Sequence, residues 1–278
     1  PSGAWVSYVD AQNGAVVEVY DNMHYQCAPS GNATGNVFLP DPISTSGATY
    51  GTGGFSHNND VNHPDLDAQL RTVIFQVGTQ LTGPSRLRGE YAYYDLENCT
   101  GSGTNWQSSR SEDCFEEVMC YYHISQNMCY YYEQLDGNAP TQFSGFDKPN
   151  APRFTTYGGL TGYNSTSGVI NIGTYTNPND NTIEAGEDAA VIIHELGHGI
   201  NDWMTGGGLS DAEGLKEGFA DYWAQSYIRN FGLWKEFQPE YQWASRWFMF
   251  TTELPDQFDR TTDFVVSYTD ELHGDTSV

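Results

Sequence analysis

Residues 187–208, with the sequence EDAAVIIHELGHGINDWMTGGG, decide most of what can be predicted about this chain. Two acidic residues precede an apolar run, and three glycines close it, which is typical of one amphipathic helix that begins at about Ala185. His194 and His198 are four residues apart, so one face of that helix carries both imidazoles, with Glu195 beside them. Two imidazoles at this spacing can reach a single metal ion.

A second helix, predicted from about Asp211 to Ile228, supplies the remaining candidates. It contains Glu217 and Asp221, which are also four residues apart. Hydrolytic zinc sites use three protein ligands and keep the fourth position for a water molecule, whose pKa falls to about 7. An antiparallel return helix would bring Glu217 to the two histidines as the third ligand. Glu195 would then be the general base and acid, and Asp221 would accept the distal N–H of a ligand imidazole.

Two alternatives to this metal site can be weighed on the sequence. A bare HExxH motif also arises by chance on a solvated helix face, but Glu217 and Asp221 on a second helix argue against chance. A related zinc motif takes a third histidine six residues after His198, where this chain has Met204. The predicted ligands are therefore His194, His198 and Glu217, with Zn²⁺ as the cofactor.

The motif His194-Glu195-x-x-His198, followed by Glu217-Gly218-Phe219-Ala220-Asp221, resembles the gluzincin zinc metallopeptidases. Among these, the thermolysin-like and fungalysin-like secreted endopeptidases are the most similar, and His198-Gly199-Ile200 fits the fungalysin-like group better. The resemblance covers about residues 185–224. It implies a secreted zinc-dependent endopeptidase that hydrolyses peptide bonds.

The order of the predicted elements favours an α+β fold, because strands come first and helices later. We expect a β-rich N-terminal lobe over residues 1–184, with one aromatic helix, and a helical zinc-binding lobe over residues 185–278. The patterns behind this division are a hairpin from Trp5–Val9 and Ala15–Tyr20, loops over 28–65, a helix from about Glu112 to Leu135, a strand within Gly168–Gly173, and a third late helix over Tyr241–Phe250.

The resemblance adds three expectations about the substrate cleft. The zinc helix should cross between the two lobes, and a peptide should add as a strand to a sheet edge, for which Asn164, Ser165 and Thr166 are the candidates. A later histidine should stabilise the oxyanion, and His273 is the only histidine after Glu217. The residues after Glu217 are also fewer than such a helical lobe carries, so the lobe is expected to be shortened or incomplete.

Charge excludes several classes of partner. With 36 acidic and 11 basic residues the formal net charge is −25, which disfavours nucleic acids and anionic membrane surfaces. No apolar run approaches the roughly 18 residues of a membrane span, so we expect no membrane insertion. A peptide or protein substrate remains the expected partner, and the oligomeric state is left open.

The cysteines favour an oxidising compartment. Five cysteines include no CxxC pair, and we expect two disulfides and one leftover thiol in a processed, secreted chain. A reduced intracellular chain is the alternative. Glycosylation sequons begin at Asn32, Asn98 and Asn164. Acidic clusters at Asn179-Asp180, Glu184–Asp188 and Asp211–Glu213 are candidates for Ca²⁺, with solvated loops as the alternative.

A second function from a different class is a metallopeptidase-like domain retained as a structural or interaction module of a glycosylated extracellular assembly. The short helical lobe, the odd cysteine and the sequon near the candidate edge motivate it. The complete set of predicted ligands together with Glu195 argues against it, because a scaffold has no need of the base.

Overall fold

The structure, a computed structural model, describes most of the chain. The described residues are 5–9, 16–21, 31–56, 61–78, 86–94, 104–112, 114–133, 135, 151–156, 161–173, 184–206, 213–235 and 237–248, with the backbone alone at 5–9, 16–21 and 213. The predicted α+β fold class is confirmed within these residues, where helices and mixed sheets occur together.

The strands within the described residues form three separate sheets. They are β1 (Trp5–Val9), β2 (Val16–Asp21), β3 (Ala33–Val37), β4 (Arg71–Phe75), β5 (Tyr93–Tyr94), β6 (Asn105–Trp106), β7 (Arg153–Thr156), β8 (Gly162–Asn164) and β9 (Val169–Ile172). The predicted hairpin is the antiparallel pair β1–β2, and its turn lies outside the described residues. The second sheet has the order β4-β3-β6, and the third has the order β5-β7-β9-β8.

The third sheet is the one that borders the late helices. Its strands β5, β7 and β9 run parallel, while β8 returns antiparallel to β9 through a tight turn. The predicted strand within Gly168–Gly173 is confirmed as β9. Among the described strands β8 pairs only with β9, so it forms one edge of this sheet as far as the structure describes it.

The prediction of loops over residues 28–65 was wrong in part. This stretch contains β3, the central strand of its sheet, and two short helices, α1 (Pro42–Ser46) and α2 (Pro64–Asp67). Gly35 explains the error, because it lies inside β3 and not in a turn. A Cβ at this position would lie 2.8 Å from Val118 Cγ1 and 2.9 Å from Phe75 Cε1, so glycine is required by packing against the core.

The long helix α3 (Cys114–Glu133) confirms the predicted aromatic helix and crosses the centre of the core. Its apolar residues Phe115, Val118 and Met119 are fully buried, and each such burial contributes about 1.5–3 kcal/mol. His123 is also fully buried. Its Nε2 lies 3.0 Å from the Phe38 carbonyl oxygen, and its Nδ1 lies 2.8 Å from the Tyr227 hydroxyl.

His123 is therefore a neutral structural histidine. A carbonyl oxygen can only accept, so the proton is on Nε2, and Nδ1 accepts from the Tyr227 hydroxyl. Burial lowers the pKa of His123 to about 4, which keeps the ring uncharged at neutral pH. The two bonds connect α3 to the end of β3 and to the helix that carries Tyr227.

Two late helices were predicted correctly, and a third was not. The helices α4 (Ala189–Thr205) and α5 (Glu213–Arg229) match the predicted pair, although the predicted start at Ala185 is a 3-10 turn over Ala185–Glu187. Between Tyr241 and Phe248 there is no α-helix, only the end of a 3-10 turn and an irregular segment.

In the irregular segment, backbone N–H groups donate to a side-chain carboxylate. The N–H groups of Trp247 and Phe248 donate to Asp188 Oδ2, at 3.0 and 3.2 Å, instead of to carbonyls one turn earlier. The Ser245 hydroxyl donates to the same oxygen at 2.5 Å. A buried carboxylate thus replaces the helical bonds that the periodicity predicted, and the segment is held against the start of α4.

Candidate metal centre

Helix α4 has a defined beginning and end, which places its two histidines. Asp188 is the N-cap, and its Oδ1 accepts the N–H of Ala190 at 2.8 Å. Gly206 ends the helix in the left-handed conformation, with φ of 60°. His194 and His198 therefore lie on consecutive turns of one continuous helix.

Helix α5 lies very close to α4 at Gly197. A Cβ at Gly197 would lie 2.9 Å from Ala220 Cα, so any side chain there would push the two helices apart. Ala220 is fully buried in this contact. The close approach is what allows Glu217, one turn before Ala220 on α5, to reach the two histidines of α4.

Three potential ligand atoms converge between the helices. His194 Nε2 lies 3.0 Å from His198 Nε2 and 3.2 Å from Glu217 Oε2. His198 Nε2 lies 3.3 Å from Glu217 Oε1. Among the residues that the structure describes, no other group of three His, Cys, Asp or Glu side chains brings ligand atoms within 4.8 Å of one another.

These separations fit a tetrahedral zinc ion. With bonds of about 2.0–2.1 Å, the ligand atoms of tetrahedral zinc lie roughly 3.4 Å apart. Two neutral imidazole nitrogens facing each other across 3.0 Å both present lone pairs, and this arrangement requires a shared cation or proton between them. Two imidazoles and one carboxylate are also the donor types that zinc prefers.

Asp221 faces the opposite side of the His194 ring. Its Oδ1 lies 2.9 Å from His194 Nδ1, so it can accept the proton of that nitrogen and leave the lone pair of Nε2 for a metal. Burial of His194 disfavours its charged form, but the carboxylates of Asp221, Glu217 and Glu195 outweigh it and raise its pKa to about 9. In return, despite partial burial, the two imidazoles hold the pKa of Glu217 well below its usual range.

Glu195 lies next to the two histidines and is buried, with 8 % of its surface exposed. Burial raises the pKa of Glu195, and the neighbouring imidazoles of His194 and His198 partly oppose that effect. A raised pKa makes a carboxylate a stronger proton acceptor, which suits a general base.

The candidate substrate edge lies beside α4. Strand β8 contacts α4 directly, and its residues are Gly162–Asn164. Ser165 and Thr166 belong instead to the exposed turn that joins β8 to β9. Asn164 Oδ1 stabilises that turn by accepting the N–H groups of Thr166 and Ser167 at 3.0 and 2.9 Å.

Several other predicted residues lie away from the metal centre. Asn32 is exposed, and its Nδ2 donates to the Val77 carbonyl at 3.1 Å. Outside the described residues lie Asn98, Asn179, Asp180, Asp211 and His273.

The acidic cluster before α4 has the environment of structural carboxylates. Glu187 is fully buried, its Oε1 lies 2.7 Å from Arg110 Nε, and its Oε2 accepts Trp247 Nε1 at 2.7 Å. Asp188 accepts the N-cap bond and the bonds from residues 245–248 described above. Donors from the protein occupy these oxygens, so Glu187 and Asp188 do not present the open oxygen cluster that Ca²⁺ requires.

Sequence reasoning missed Tyr163 and the role of Glu187 and Asp188. The Tyr163 hydroxyl donates to Asp202 Oδ2 on α4 at 3.0 Å, but helical periodicity in α4 does not identify the strand that packs there. The pair Glu187-Asp188 was interpreted only as a helix start or a calcium ligand, because its donors come from residues about 60 positions away.

The comparisons with known proteins agree with this site. Residues 126–245 match the model of the fungalysin metallopeptidase family (M36), a range that includes His194, Glu195, His198, Glu217 and Asp221. No curated protein and no solved structure matched the chain. None of the described helices is both long and apolar enough to cross a membrane. The family match extends well beyond residues 185–224, and it supports the resemblance of this chain to zinc metallopeptidases of the fungalysin, thermolysin-like type.

Proposed function

We propose that this protein is a zinc-dependent endopeptidase of the gluzincin type. The observation that carries the proposal is the convergence of His194 Nε2, His198 Nε2 and a Glu217 carboxylate oxygen to within 4.8 Å of one another, with Glu195 adjacent. The match to a metallopeptidase family over the same residues supports it independently.

Each residue has a role that follows from its chemistry. His194, His198 and Glu217 hold the zinc ion, which when bound polarises a water molecule and lowers its pKa to about 7. Glu195 takes the proton of the attacking water and later delivers it to the leaving amine. Asp221 orients the His194 ring and makes Nε2 a better donor by accepting the proton on Nδ1.

Strand β8 is the proposed site for the substrate backbone. An edge strand has unpaired N–H and C=O groups, and an extended peptide can add to it while side-chain pockets select the sequence. The position of β8 against α4 supports this, since a peptide added there would run past the metal centre. For oxyanion stabilisation, His273 stays a prediction.

We also propose that the protein is secreted and glycosylated. Cys114 and Cys129 are disulfide-bonded, whereas Cys120 is free and buried, and disulfides persist in oxidising compartments. For glycosylation, Asn164 is the better placed of the two described sequons, because it is exposed at the tip of a hairpin. At Asn32, in contrast, the amide nitrogen already donates to Val77.

The test combines metal analysis with activity on one sample. We expect one zinc per chain and hydrolysis of casein or a quenched peptide that a chelator stops and added zinc restores. Glu195→Gln should keep its zinc and lose activity by a factor of about 10² to 10⁴. A Glu195→Gln variant that keeps its activity would refute the assignment of Glu195 as the general base. Zinc binding without hydrolysis in the wild type, with a glycan on Asn164, would favour the structural module instead.

A further inference from the structure

Helix α3 carries three of the five cysteines, and they differ in chemical state. Cys120 is free and fully buried, whereas Cys114 and Cys129 are both disulfide-bonded. Cys114 and Cys129 lie 15 residues apart on one continuous helix, which separates their Cα atoms by about 22 Å. The Cα atoms of a disulfide usually lie about 4.4–6.8 Å apart, so these two residues cannot bond to each other.

Each of these two cysteines therefore has a different partner. Within one chain only Cys27 and Cys99 remain, because Cys120 is free. Both lie outside the described residues, but the described segments beside them limit what they can reach. Two pairings remain: Cys99 with Cys114 and Cys27 with Cys129, or the reverse.

The chain that leads to Cys99 runs towards the start of α3. Tyr91 contacts the far end of the helix, where its hydroxyl donates to Glu133 Oε1 at 3.1 Å. Three residues later, the Tyr94 hydroxyl donates to Glu117, near the beginning of the same helix. The last described residue before Cys99, Tyr94, is thus attached to the N-terminal part of α3.

The chain that follows Cys99 begins at the same part of the helix. The Thr104 carbonyl accepts the N–H of Thr34 in β3 at 2.8 Å. β3 in turn crosses α3 beside Val118, since a Cβ at Gly35 would lie 2.8 Å from Val118 Cγ1. Both described neighbours of Cys99 are therefore held near the first two turns of α3.

The length of chain on either side of Cys99 favours Cys114 as its partner. Five residues separate Cys99 from each described neighbour, and five extended residues span about 17 Å. Cys114 lies only about 5–6 Å along the helix axis from the two contacts with α3. Cys129 lies about 17 Å beyond Val118, so a bond there would require both connections to be almost fully extended.

Cys27 is then left for Cys129, and its described neighbour allows this bond. Gly31, four residues after Cys27, lies against β4, because a Cβ there would lie 2.6 Å from Gln76 N. The Gln76 carbonyl accepts the Tyr121 hydroxyl at 2.5 Å. Tyr121 precedes Cys129 by eight residues, or about 12 Å of helix, which is within the roughly 14 Å that four extended residues span.

We propose that this protein carries two disulfides, Cys99–Cys114 and Cys27–Cys129, one near each end of α3. Each bond forms when two thiols lose two electrons and two protons to a disulfide oxidant, whose own bond is reduced to two thiols. The inference does not depend on the proposed peptidase activity, so either can fail without the other.

The second bond would hold the part of α3 that supports the metal-binding helix α5. Asn127, two residues before Cys129, accepts Trp223 Nε1 of α5 at 2.8 Å. One turn earlier, His123 is bonded to the Tyr227 hydroxyl of the same helix. The two disulfides would therefore fix both ends of the helix against which α5 packs.

Peptide mapping without reduction tests the pairing on the full chain. Cyanogen bromide cleaves after methionine, and trypsin cleaves after arginine, so together they place every cysteine on its own peptide. The peptides are 24–71 with Cys27, 89–110 with Cys99, 111–119 with Cys114, 120–128 with Cys120 and 129–153 with Cys129. Free thiols are first blocked with a maleimide in acidic denaturant, and N-glycans are removed enzymatically, because Asn98 begins a sequon beside Cys99.

We expect mass spectrometry to find 89–110 joined to 111–119, and 24–71 joined to 129–153, with the maleimide on 120–128. The reverse pairing would overturn the assignment of partners. Maleimide on 111–119 or 129–153 in the wild type, or a disulfide between two chains, would overturn the proposal as a whole.

Two single variants give an independent check, because each should free one particular thiol. Cys99→Ser should move maleimide onto 111–119 and leave 24–71 joined to 129–153. Cys27→Ser should instead label 129–153 and leave the other pair intact. Cys120→Ala is the matched control and should keep both pairs with no maleimide. Labelling of 129–153 in Cys99→Ser would contradict the proposed partners, and the wild-type map decides alone if a variant fails to fold.

Discussion

The Nδ1 of His194 on α4 lies 2.9 Å from Oδ1 of Asp221 on α5. Because this carboxylate can accept the proton of Nδ1, Nε2 is the nitrogen left for a metal, and it faces His198 and Glu217. One contact between two helices therefore sets the tautomer, the ring orientation and the basicity of a candidate ligand.

Asp221→Asn is expected to weaken zinc binding by about 10- to 100-fold, because an amide is a poorer acceptor for the imidazole proton. Competition with a chromophoric chelator measures this directly. Asp67→Asn, on the exposed part of α2, is the control and should bind zinc like the wild type. An unchanged zinc affinity in Asp221→Asn would show that Asp221 does not act through His194.

Comparing Glu217→Gln with Glu195→Gln should distinguish the metal ligand from the general base. The substitution keeps the shape of the side chain but removes the anionic donor, so we expect loss of bound zinc and of activity together. Glu195→Gln, one position after His194, should lose activity while zinc stays bound. Zinc content by elemental analysis on both variants distinguishes the roles, and zinc retention by Glu217→Gln would contradict the ligand assignment.

Gly197→Ala is expected to destabilise the protein by about 1–3 kcal/mol, because the added methyl group overlaps the backbone of α5 at Ala220. The same shift should move Glu217 away from the histidines and weaken zinc binding. Gly218→Ala on α5 is the matched control, since a Cβ there has no atom within 4 Å. It should stabilise the helix by about 0.5–1 kcal/mol, as alanine does in an unhindered helical position. Urea denaturation of both variants tests the contrast.

Asp41→Asn should change how stability depends on pH. Asp41 is buried at the N-cap of α1, and burial together with the charge of Asp188 raises its pKa from 3.8 to about 6. A carboxyl whose pKa is raised on folding favours the folded state below pH about 4, and this contribution is lost as the pH rises through about 6.

The free energy of unfolding of Asp41→Asn minus that of the wild type should therefore be larger at pH 8 than at pH 4, by on the order of 2 kcal/mol. Asparagine can still accept the Ser44 N–H, so the cap itself remains. Chemical denaturation of the two proteins at several pH values gives this difference, and the common effect of zinc cancels in it. A difference that is constant between pH 4 and pH 8 would contradict the prediction.

Features that depend on local spacing were predictable. The His194 and His198 pair and the end of α4 at Gly206 follow from helical period and capping, which involve neighbouring residues only. The aromatic helix α3 and the hairpin of β1 and β2 follow from period and from turn residues in the same way.

The errors occur where a distant group replaces a local one. Gly35 was interpreted as a loop residue, but Val118 and Phe75 leave no room for a side chain in the middle of β3. The periodicity over Tyr241–Phe250 predicted a helix, but Asp188 binds the N–H groups that a helix would use.

The sequence by itself therefore determined the α+β class and the set of residues that can bind and use a metal, because residue type and spacing along helices are local properties. Only the tertiary structure decided that Gly197 lets α5 approach α4 and that Glu217 reaches the two histidines. Each of these contacts joins elements far apart in the chain, and steric fit between such elements is not encoded in any single stretch of residues.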